Sequence, residues 1–274
     1  MPLLRAFPLI FAAALSLPGQ DSPPFHASVN CVKALPGKAA ELERFAADVL
    51  KKLMETQMED GKVGGWELSR AVTPAGEEAR CDYLSVSFFA GPPPAPQSLL
   101  ESDLERAGLR MAPEQFRAEL TGLSKLVSHE RFVRLDGFGE SVKGDYWQAN
   151  FMKPRPGKMA ELVDFERNVW KPLARGAADS GHPRKGWGVW RLLYPSGAAT
   201  PYDIVTVDAF RDWDSIWADQ SFSPEAVARI FPGKTVAEVF APLADLRSLE
   251  RRELYVVTER VGPAATGGSP STRR

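Results

Sequence analysis

The sequence predicts an α+β protein made of two tandem copies of one unit. The first observation is a near-repeat of ten residues, because "PGKAAELERF" at Pro36 recurs as "PGKMAELVDF" at Pro156. The second is that strand-like alternating runs and helical apolar stripes follow each stretch in the same order. The third is size and composition, since 274 residues with 44% hydrophobic content can bury a substantial core.

The first 19 residues are expected to be a secretory signal peptide and not part of the fold. Arg5 precedes an apolar segment from Ala6 to Leu17, which is too short for a stable membrane span, and small and turn-forming residues follow. We therefore expect a secreted or periplasmic protein with no membrane contact once the peptide is removed. The alternatives are a frayed apolar N-terminus and a retained anchor.

The first copy, residues 25–138, contains six predicted elements. Its first strand covers 26–33, and Pro36-Gly37 then ends that strand and begins a helix. The helix has an apolar stripe spaced three and four apart, formed by Leu42, Phe45, Val49 and Leu53. Strands follow at 64–70 and from Tyr83. A second helix has the stripe Phe116, Leu120, Leu123 and Val127, and a strand from Glu130 ends the copy.

The second copy, residues 145–261, repeats these elements. Aligning Gly37 with Gly157 (157 − 37 = 120) places the stripe on Leu162, Phe165, Val169 and Leu173. A shift of one residue (187 − 66 = 121) then aligns Trp66 with Trp187. The first strand is predicted at 146–153 and the last from Glu253, with the second helix on Val236, Val239, Phe240, Leu243 and Leu246. The polar linker at 136–145 separates the copies, and residues 262–274 read as a flexible tail.

Each copy has the order strand, helix, strand, strand, helix, strand, which is the ferredoxin-like βαββαβ unit. One face of such a sheet is covered by helices, and a second copy can bury the other face and close a barrel. Over residues 25–261 the chain therefore resembles the dimeric α+β barrel superfamily, as a pseudo-dimeric version within one chain. The Pro-Gly-Lys helix start, the Gly-Trp strand start and the element order carry this resemblance. It implies a monomer, since the two copies pair with each other.

Alternation sorts the strand residues into two faces. Ala27, Val29 and Cys31 form the more apolar face of the first strand, which we assign to the helices. The opposite face would then line the barrel with polar and aromatic groups, as expected of a small-molecule pocket. The predicted ligand-binding residues are Asn30, Asn150, Trp66, Trp187, Tyr83, Tyr202, Arg70 and Arg191. The alternative is structural: the asparagines brace the packed sheets and the tryptophans fill the core.

The sequence offers little for catalysis or metal binding. His26, His129 and His182 do not have metal-ligand spacing, so no metal is expected. Some families of the α+β barrel superfamily bind haem through a helix histidine. None of these three lies on a predicted helix, so no haem or other cofactor is expected. Among the carboxylates, only Asp208 falls on the predicted inner face. It is a weak candidate for an acid or base, and the alternative is a strand-end surface residue.

The two cysteines, Cys31 and Cys81, are predicted to form a disulfide. In the ferredoxin-like arrangement the first and third strands are neighbours, so the end of one lies near the start of the other. An exported protein meets an oxidising compartment in which such a bond persists. Phe151 and Thr200 stand near the equivalent places of the second copy. Two buried free thiols are the alternative.

Three functions remain open on this evidence. A net charge of −1, with basic residues scattered, argues against a nucleic-acid partner. The first hypothesis is binding of a small organic ligand in the barrel. The second, implied by the resemblance, is an enzyme like the cofactor-free monooxygenases, acting on an aromatic substrate. The third is a structural or interaction protein whose interior is fully packed.

Overall fold

The computed structural model describes residues 25–94, 101–219 and 221–262. The predicted signal peptide and all but Gly262 of the predicted tail lie outside the described residues. Eight antiparallel strands form a closed barrel in the order β1-β3-β2-β8-β5-β7-β6-β4. The fold is therefore the predicted α+β barrel. No helix among the described residues is long and apolar enough to cross a membrane.

In the first half, the described residues form four strands and four α-helices. The strands are β1 (His26–Ala34), β2 (Gly65–Thr73), β3 (Tyr83–Phe89) and β4 (Ser124–Phe138). The helices are α1 (Ala39–Phe45), α2 (Lys51–Glu59), α3 (Glu101–Arg106) and α4 (Pro113–Leu123). A π-helical segment, Ala46–Leu50, joins α1 to α2, and a short 3₁₀ turn, Gly76–Glu78, precedes β3.

The second half has the same strand order and more helical pieces. Its strands are β5 (Tyr146–Pro154), β6 (Arg184–Tyr194), β7 (Ile204–Phe210) and β8 (Arg247–Val261). The first pair of helices is α5 (Met159–Phe165) and α6 (Lys171–Asp179), joined by the π-helical segment Glu166–Trp170. Four short helices follow: α7 (Trp213–Trp217), α8 (Pro224–Ile230), α9 (Val236–Phe240) and α10 (Leu243–Leu246).

The repeated Pro-Gly-Lys stretch is a helix start in both halves. Gly37 and Gly157 have φ of 76° and 77°, a left-handed conformation that glycine adopts without steric cost. The following lysine pairs with the glutamate three residues later, at 2.8 Å for Lys38–Glu41 and 2.7 Å for Lys158–Glu161. These pairs are exposed and contribute little to stability. The stretch positions a helix and carries no chemistry of its own.

Two long strands close the barrel. β4 and β8 each have 15 residues, whereas the sequence predicted shorter strands from Glu130 and Glu253. The first part of β4 pairs with β1 of its own half, and its last part pairs with β6 of the other half. β8 likewise pairs with β5 and then with β2. Val127, predicted on a helix, therefore lies on β4, where it is 45% exposed.

The predicted assignment of the two sheet faces is wrong. Ala27, Val29 and Ala149 line the barrel interior, while the Asn30 and Asn150 face lies on the outer, helix side. Alternation separates two faces correctly but does not say which one is enclosed. Both faces of each sheet are largely covered here, and the barrel interior takes the more apolar set.

Candidate functional site

A cavity of about 660 Å³ occupies the barrel interior. Most of its wall is apolar and comes from inward-facing residues of all eight strands. The wall includes Ala27, Val29, Leu84, Val86, Phe88, Phe132, Trp147, Ala149, Phe151, Trp190, Val205 and Val207. The exposed lining residues Gly64, Gly139 and Glu140 mark its mouth. An enclosed apolar space with a few polar groups is the usual form of a small-molecule site.

A hydrogen-bonded chain runs along the cavity wall towards the mouth. The indole N–H of Trp147 donates to Ser69 Oγ at 3.0 Å, and Ser69 donates to Glu67 Oε1 at 2.6 Å. Ser141 donates to the other oxygen, Glu67 Oε2, also at 2.6 Å. Arg260 donates to Ser141 Oγ at 2.7 Å. Glu67 is only 4% exposed, so these donors replace the water that its carboxylate gives up.

The opposite end of the cavity has a charged floor in which acids and bases are paired. Arg80 lies 2.8 Å from Glu130 Oε1, and Tyr202 donates to Glu130 Oε2 at 2.8 Å. Burial and the neighbouring Glu130 raise the pKa of the Tyr202 hydroxyl, so it stays protonated and acts as a donor. Arg251 stacks over the Phe151 ring, 4.1 Å from its centroid. The Glu130 carboxylate is thus fully engaged, whereas Arg80 Nε and Arg251 Nη2 are buried without a hydrogen-bond partner among the described residues.

Arg134 differs from the paired arginines of the cavity. It extends from the inner face of β4 and lines the cavity, with its guanidinium carbon 5.9 Å from the centre of the Trp190 ring. Burial lowers the pKa of Arg134, and the charges of Asp136 and Glu140 partly oppose this. Arg134 was not among the site residues predicted from the sequence. The alternation that places Glu130, Phe132 and Arg134 on one face of β4 is the pattern that could have indicated it.

The two predicted asparagines lie on the helix side of the sheets and not in the cavity. Asn30 Oδ1 lies 2.6 Å from His129 Nδ1. Asn150 is 3% exposed and donates to Thr206 Oγ1 and Asp208 Oδ2, both at 3.2 Å. Each asparagine therefore bridges neighbouring strands. This placement agrees with the structural alternative.

The predicted tryptophans, Trp66 and Trp187, are core residues under the helices. Trp66 packs with Leu42, Leu68 and Tyr83, and its indole N–H donates to Ser85 Oγ at 2.9 Å. Trp187 packs with the helix-side cluster of the second half. It is also the one member of the predicted set of eight that lines the cavity.

The remaining predicted residues are spread over three places. Tyr83 donates to Glu43 on α1 at 2.9 Å, and Arg70 pairs with the same carboxylate at 3.2 Å on the exposed outer side. Arg191 is exposed on β6. Tyr202 lies in the charged floor. The structure therefore does not bring the eight predicted residues together into one site.

The two halves differ at the floor, where one has a disulfide and the other an aromatic pair. Cys31 and Cys81 are joined with an S–S distance of 2.01 Å. Cys31 opposes Leu84, and Phe151 likewise opposes Val205. Leu84 and Val205 are therefore equivalent positions, and three residues before them lie Cys81 and Tyr202. The Tyr202 ring contacts the Phe151 ring edge-on, with centroids 4.8 Å apart. Thr200, expected near the place equivalent to Cys81, is therefore two residues away from that place.

Asp208 belongs to a buried charge network on the helix side of the second half. It pairs with Arg184, which also pairs with Asp219 and donates from Nε to Ser221 at 3.1 Å. Burial alone would lower the pKa of Arg184, but the two aspartates outweigh it and raise the pKa. Asp208 faces away from the cavity, so the predicted inner-face position is wrong. Its carboxylate serves as the partner of a buried arginine.

The cavity residues do not fit haem or a metal ion. Among the residues that the structure describes, no histidine, cysteine, methionine or tyrosine lines the cavity, and these side chains are the usual ligands of haem iron. His129 is engaged by Asn30, and His182 contacts the Ala218 carbonyl oxygen at 3.0 Å. Within the same described ranges no cluster of three or more metal-binding side chains occurs.

Comparisons with known proteins identify the fold. No protein-family model and no curated protein sequence matches the chain. Among solved structures it is similar to a putative monooxygenase from Lactobacillus acidophilus NCFM, with 9% identity and a TM-score of 0.51 over 88% of this chain and 97% of that one. A putative monooxygenase from Fusobacterium nucleatum has 10% identity and a TM-score of 0.53 over 89% and 96%.

A more distant match is a haem-binding protein from Thermus thermophilus, with 9% identity and a TM-score of 0.44 over 85% of this chain and 90% of that one. The two putative monooxygenases, at 9% and 10% identity, show a shared fold and not a shared activity.

Proposed function

We propose that this protein binds a small, largely apolar organic molecule inside its barrel. The cavity of about 660 Å³, with its aromatic and aliphatic wall, is the observation that supports the proposal. Burial of apolar ligand surface gives about 25 cal/mol for each Å² removed from water, which is ample for micromolar binding. A fully packed interior, as the interaction-protein hypothesis requires, does not agree with this cavity.

Filling the cavity tests the proposal. Val207 lies on the wall and is half-buried, so Val207→Phe should occupy ligand space. A neutral apolar fluorophore, N-phenyl-1-naphthylamine, should bind the wild type and lose at least about tenfold in affinity in this variant. Val127→Phe, on the exposed outer part of β4, is the matched control and should bind as the wild type does. If the fluorophore does not bind the wild type, or binds both variants equally well, the proposal is wrong.

A second candidate function is oxygenation of the bound molecule without a cofactor. The similarity to two putative monooxygenases motivates it, although that similarity shows the fold alone. The observation in this chain that favours it is Glu67, a carboxylate in the cavity wall held by Ser69 and Ser141. A carboxylate so placed could accept a proton from a bound phenol, which would make the phenol easier to oxidise.

Oxygen consumption separates this candidate from simple binding. Wild-type protein mixed with a quinol should consume oxygen faster than the buffer alone, and Glu67→Gln should lower that rate by about a hundredfold or more. Glu43→Gln, which alters an outer carboxylate near α1, is the control and should keep the wild-type rate. A wild-type rate equal to that of the buffer excludes the enzyme, and an unchanged rate in Glu67→Gln excludes the role of that residue.

We also propose that the protein acts outside the cytoplasm, as the N-terminal sequence predicts. The Cys31–Cys81 disulfide supports this location, because structural disulfides persist mainly in oxidising compartments.

A further inference from the structure

Arg134 places a positive charge in the cavity wall without a carboxylate in contact. Its side chain is half-buried and lies beside the Trp190 ring. Among the described residues, no aspartate or glutamate oxygen lies within 4.0 Å of its guanidinium group. A guanidinium group stays charged at any ordinary pH, so its burial here has a cost that no carboxylate in contact offsets, and Asp136 and Glu140 oppose it only partly.

The other cavity arginines are paired. Arg80 lies 2.8 Å from Glu130, and Arg260 lies 3.5 Å from Glu67 and donates to Ser141 at 2.7 Å. Of the arginines that line the cavity in the described part of the chain, Arg80 and Arg260 are thus neutralised, and Arg134 has no carboxylate in contact. Arg134 is set against an aromatic ring in the apolar part of the wall.

The acids nearest to Arg134 do not neutralise it. Asp136 is held by Lys171 at 2.8 Å and accepts the Gly137 N–H at 2.7 Å. Glu140 is 55% exposed and is turned towards Arg260, at 3.7 Å. Both carboxylates act on Arg134 only from beyond contact distance, where solvent screening weakens their effect.

Two glycines leave room for the Arg134 guanidinium group and the Trp190 indole. A Cβ added at Gly137 would overlap the Arg134 guanidinium group and would lie 2.6 Å from the Trp187 carbonyl oxygen. A Cβ added at Gly188 would lie 3.1 Å from Trp190 Nε1 and 3.8 Å from Arg134 Nε. The guanidinium and the indole therefore occupy space that side chains at Gly137 and Gly188 would otherwise take.

We propose that Arg134 binds the carboxylate of the ligand, so that the cavity selects apolar molecules with one carboxylate group. The proposal rests on the proposed ligand-binding function. Arginine matches the planar, two-oxygen shape of a carboxylate, and the pair would gain strength inside an apolar wall. The apolar body would lie against the cavity-facing side of Trp190 and Phe88, whose rings pack against each other with centroids 6.2 Å apart. An aromatic acid and a fatty acid share this chemistry.

Matched acids and alcohols test the assignment. Affinities of the full mature chain would be measured by quenching of tryptophan fluorescence with 2-naphthoate and 2-naphthalenemethanol, and with dodecanoate and dodecanol. The wild type should bind at least one acid about tenfold more tightly than its alcohol. Arg134→Gln should remove that preference and leave the affinity for the alcohol within about twofold. The acid that is preferred identifies an aromatic or an aliphatic ligand body.

Two further variants make the outcome decisive. Arg131→Gln, on the opposite face of the same strand, should keep the preference for the acid. Arg134→Lys keeps the charge and should keep part of the preference, and it replaces the glutamine variant if that variant does not fold. Equal affinity of wild type for acid and alcohol, or a preference that survives in Arg134→Gln, overturns the carboxylate assignment while ligand binding stands. If neither acid nor alcohol binds the wild type, the proposed function fails as well.

Discussion

At the scale of single residues, the buried acid Glu166 lies where the fold gives it no clear partner. It is on the π-helical segment between α5 and α6, is 1% exposed, and its Oε2 has no hydrogen bond among the described residues. Burial raises the pKa of Glu166 to about 8, with a further rise from Asp208 and an opposing effect of Arg247. The aligned residue of the first half is Ala46 (166 − 120 = 46), so this acid is a feature of the second half only.

Glu166 should make the stability of the protein depend on pH. In the unfolded chain its pKa is near 4.5, so between pH 4.5 and 8 the folded state keeps a proton that the unfolded state has lost. The free energy of unfolding should therefore fall by up to about 1.4 kcal/mol per pH unit in this range and level off above it. Glu166→Gln should remove this contribution, and its stability advantage over the wild type should be more than about 1 kcal/mol larger at pH 8 than at pH 5.

Urea unfolding of both proteins at pH 5, 6.5 and 8 measures the effect. Glu161→Gln is the control, since this glutamate is exposed on α5 and pairs with Lys158 at 2.7 Å. Its difference from the wild type should be small and nearly constant with pH. A Glu166→Gln difference that is equally constant would show that Glu166 is ionised in the folded protein.

At the scale of elements, the helix starts and strand order could be predicted because their signals are local. Pro-Gly followed by a stripe such as Leu42 and Phe45 marks a helix wherever the chain places it. The lengths of β4 and β8 could not be predicted from local sequence signals. β4 and β8 continue past their partners in the same half because the other half offers a second edge, and this information is not local.

The orientation of the strand faces is a second limit of the sequence. Ala27 and Val29 on β1, and Phe151 on β5, lie on apolar strand faces that would suit a helix-covered side and a barrel interior equally well. Only the closure of the sheet decides between the two. The predicted site followed the wrong face, and Arg134 was missed for the same reason.

The register in which the two halves align is the third feature that the sequence did not predict correctly. The two halves align at 120 residues on the first strand and at 121 on the third, as the pairings of Cys31 with Leu84 and of Phe151 with Val205 show. Only this register matches the disulfide of one half with the Phe151–Tyr202 pair of the other. Each pair joins the first strand of its half to the residues just before the third strand, by a covalent bond in one half and by ring packing in the other.

At the scale of the whole molecule, two strand pairings join the halves, β2 with β8 and β4 with β6, and we call them the seams. They explain why the Gly-Trp strand start is repeated. Gly65 begins β2 and Gly186 lies near the start of β6, at aligned positions (186 − 65 = 121). A Cβ at Gly186 would lie 2.8 Å from the Phe138 carbonyl oxygen of β4, and one at Gly65 would lie 3.1 Å from the Val261 carbonyl oxygen of β8. Each glycine therefore lets the last strand of one half approach the second strand of the other.

Substitution at a seam should destabilise the whole barrel, because β4–β6 is one of the two pairings that join the halves. Gly186→Ala should lower the free energy of unfolding by about 1–3 kcal/mol, since backbone cannot move aside as a flexible side chain would. Gly122→Ala on α4 is the control: a Cβ there meets nothing within 4 Å, and alanine favours a helix, so stability should hold or rise slightly. Equal stabilities of the two variants in urea would mean that the seam relaxes freely, and the halves would then be joined less tightly than the closed barrel implies.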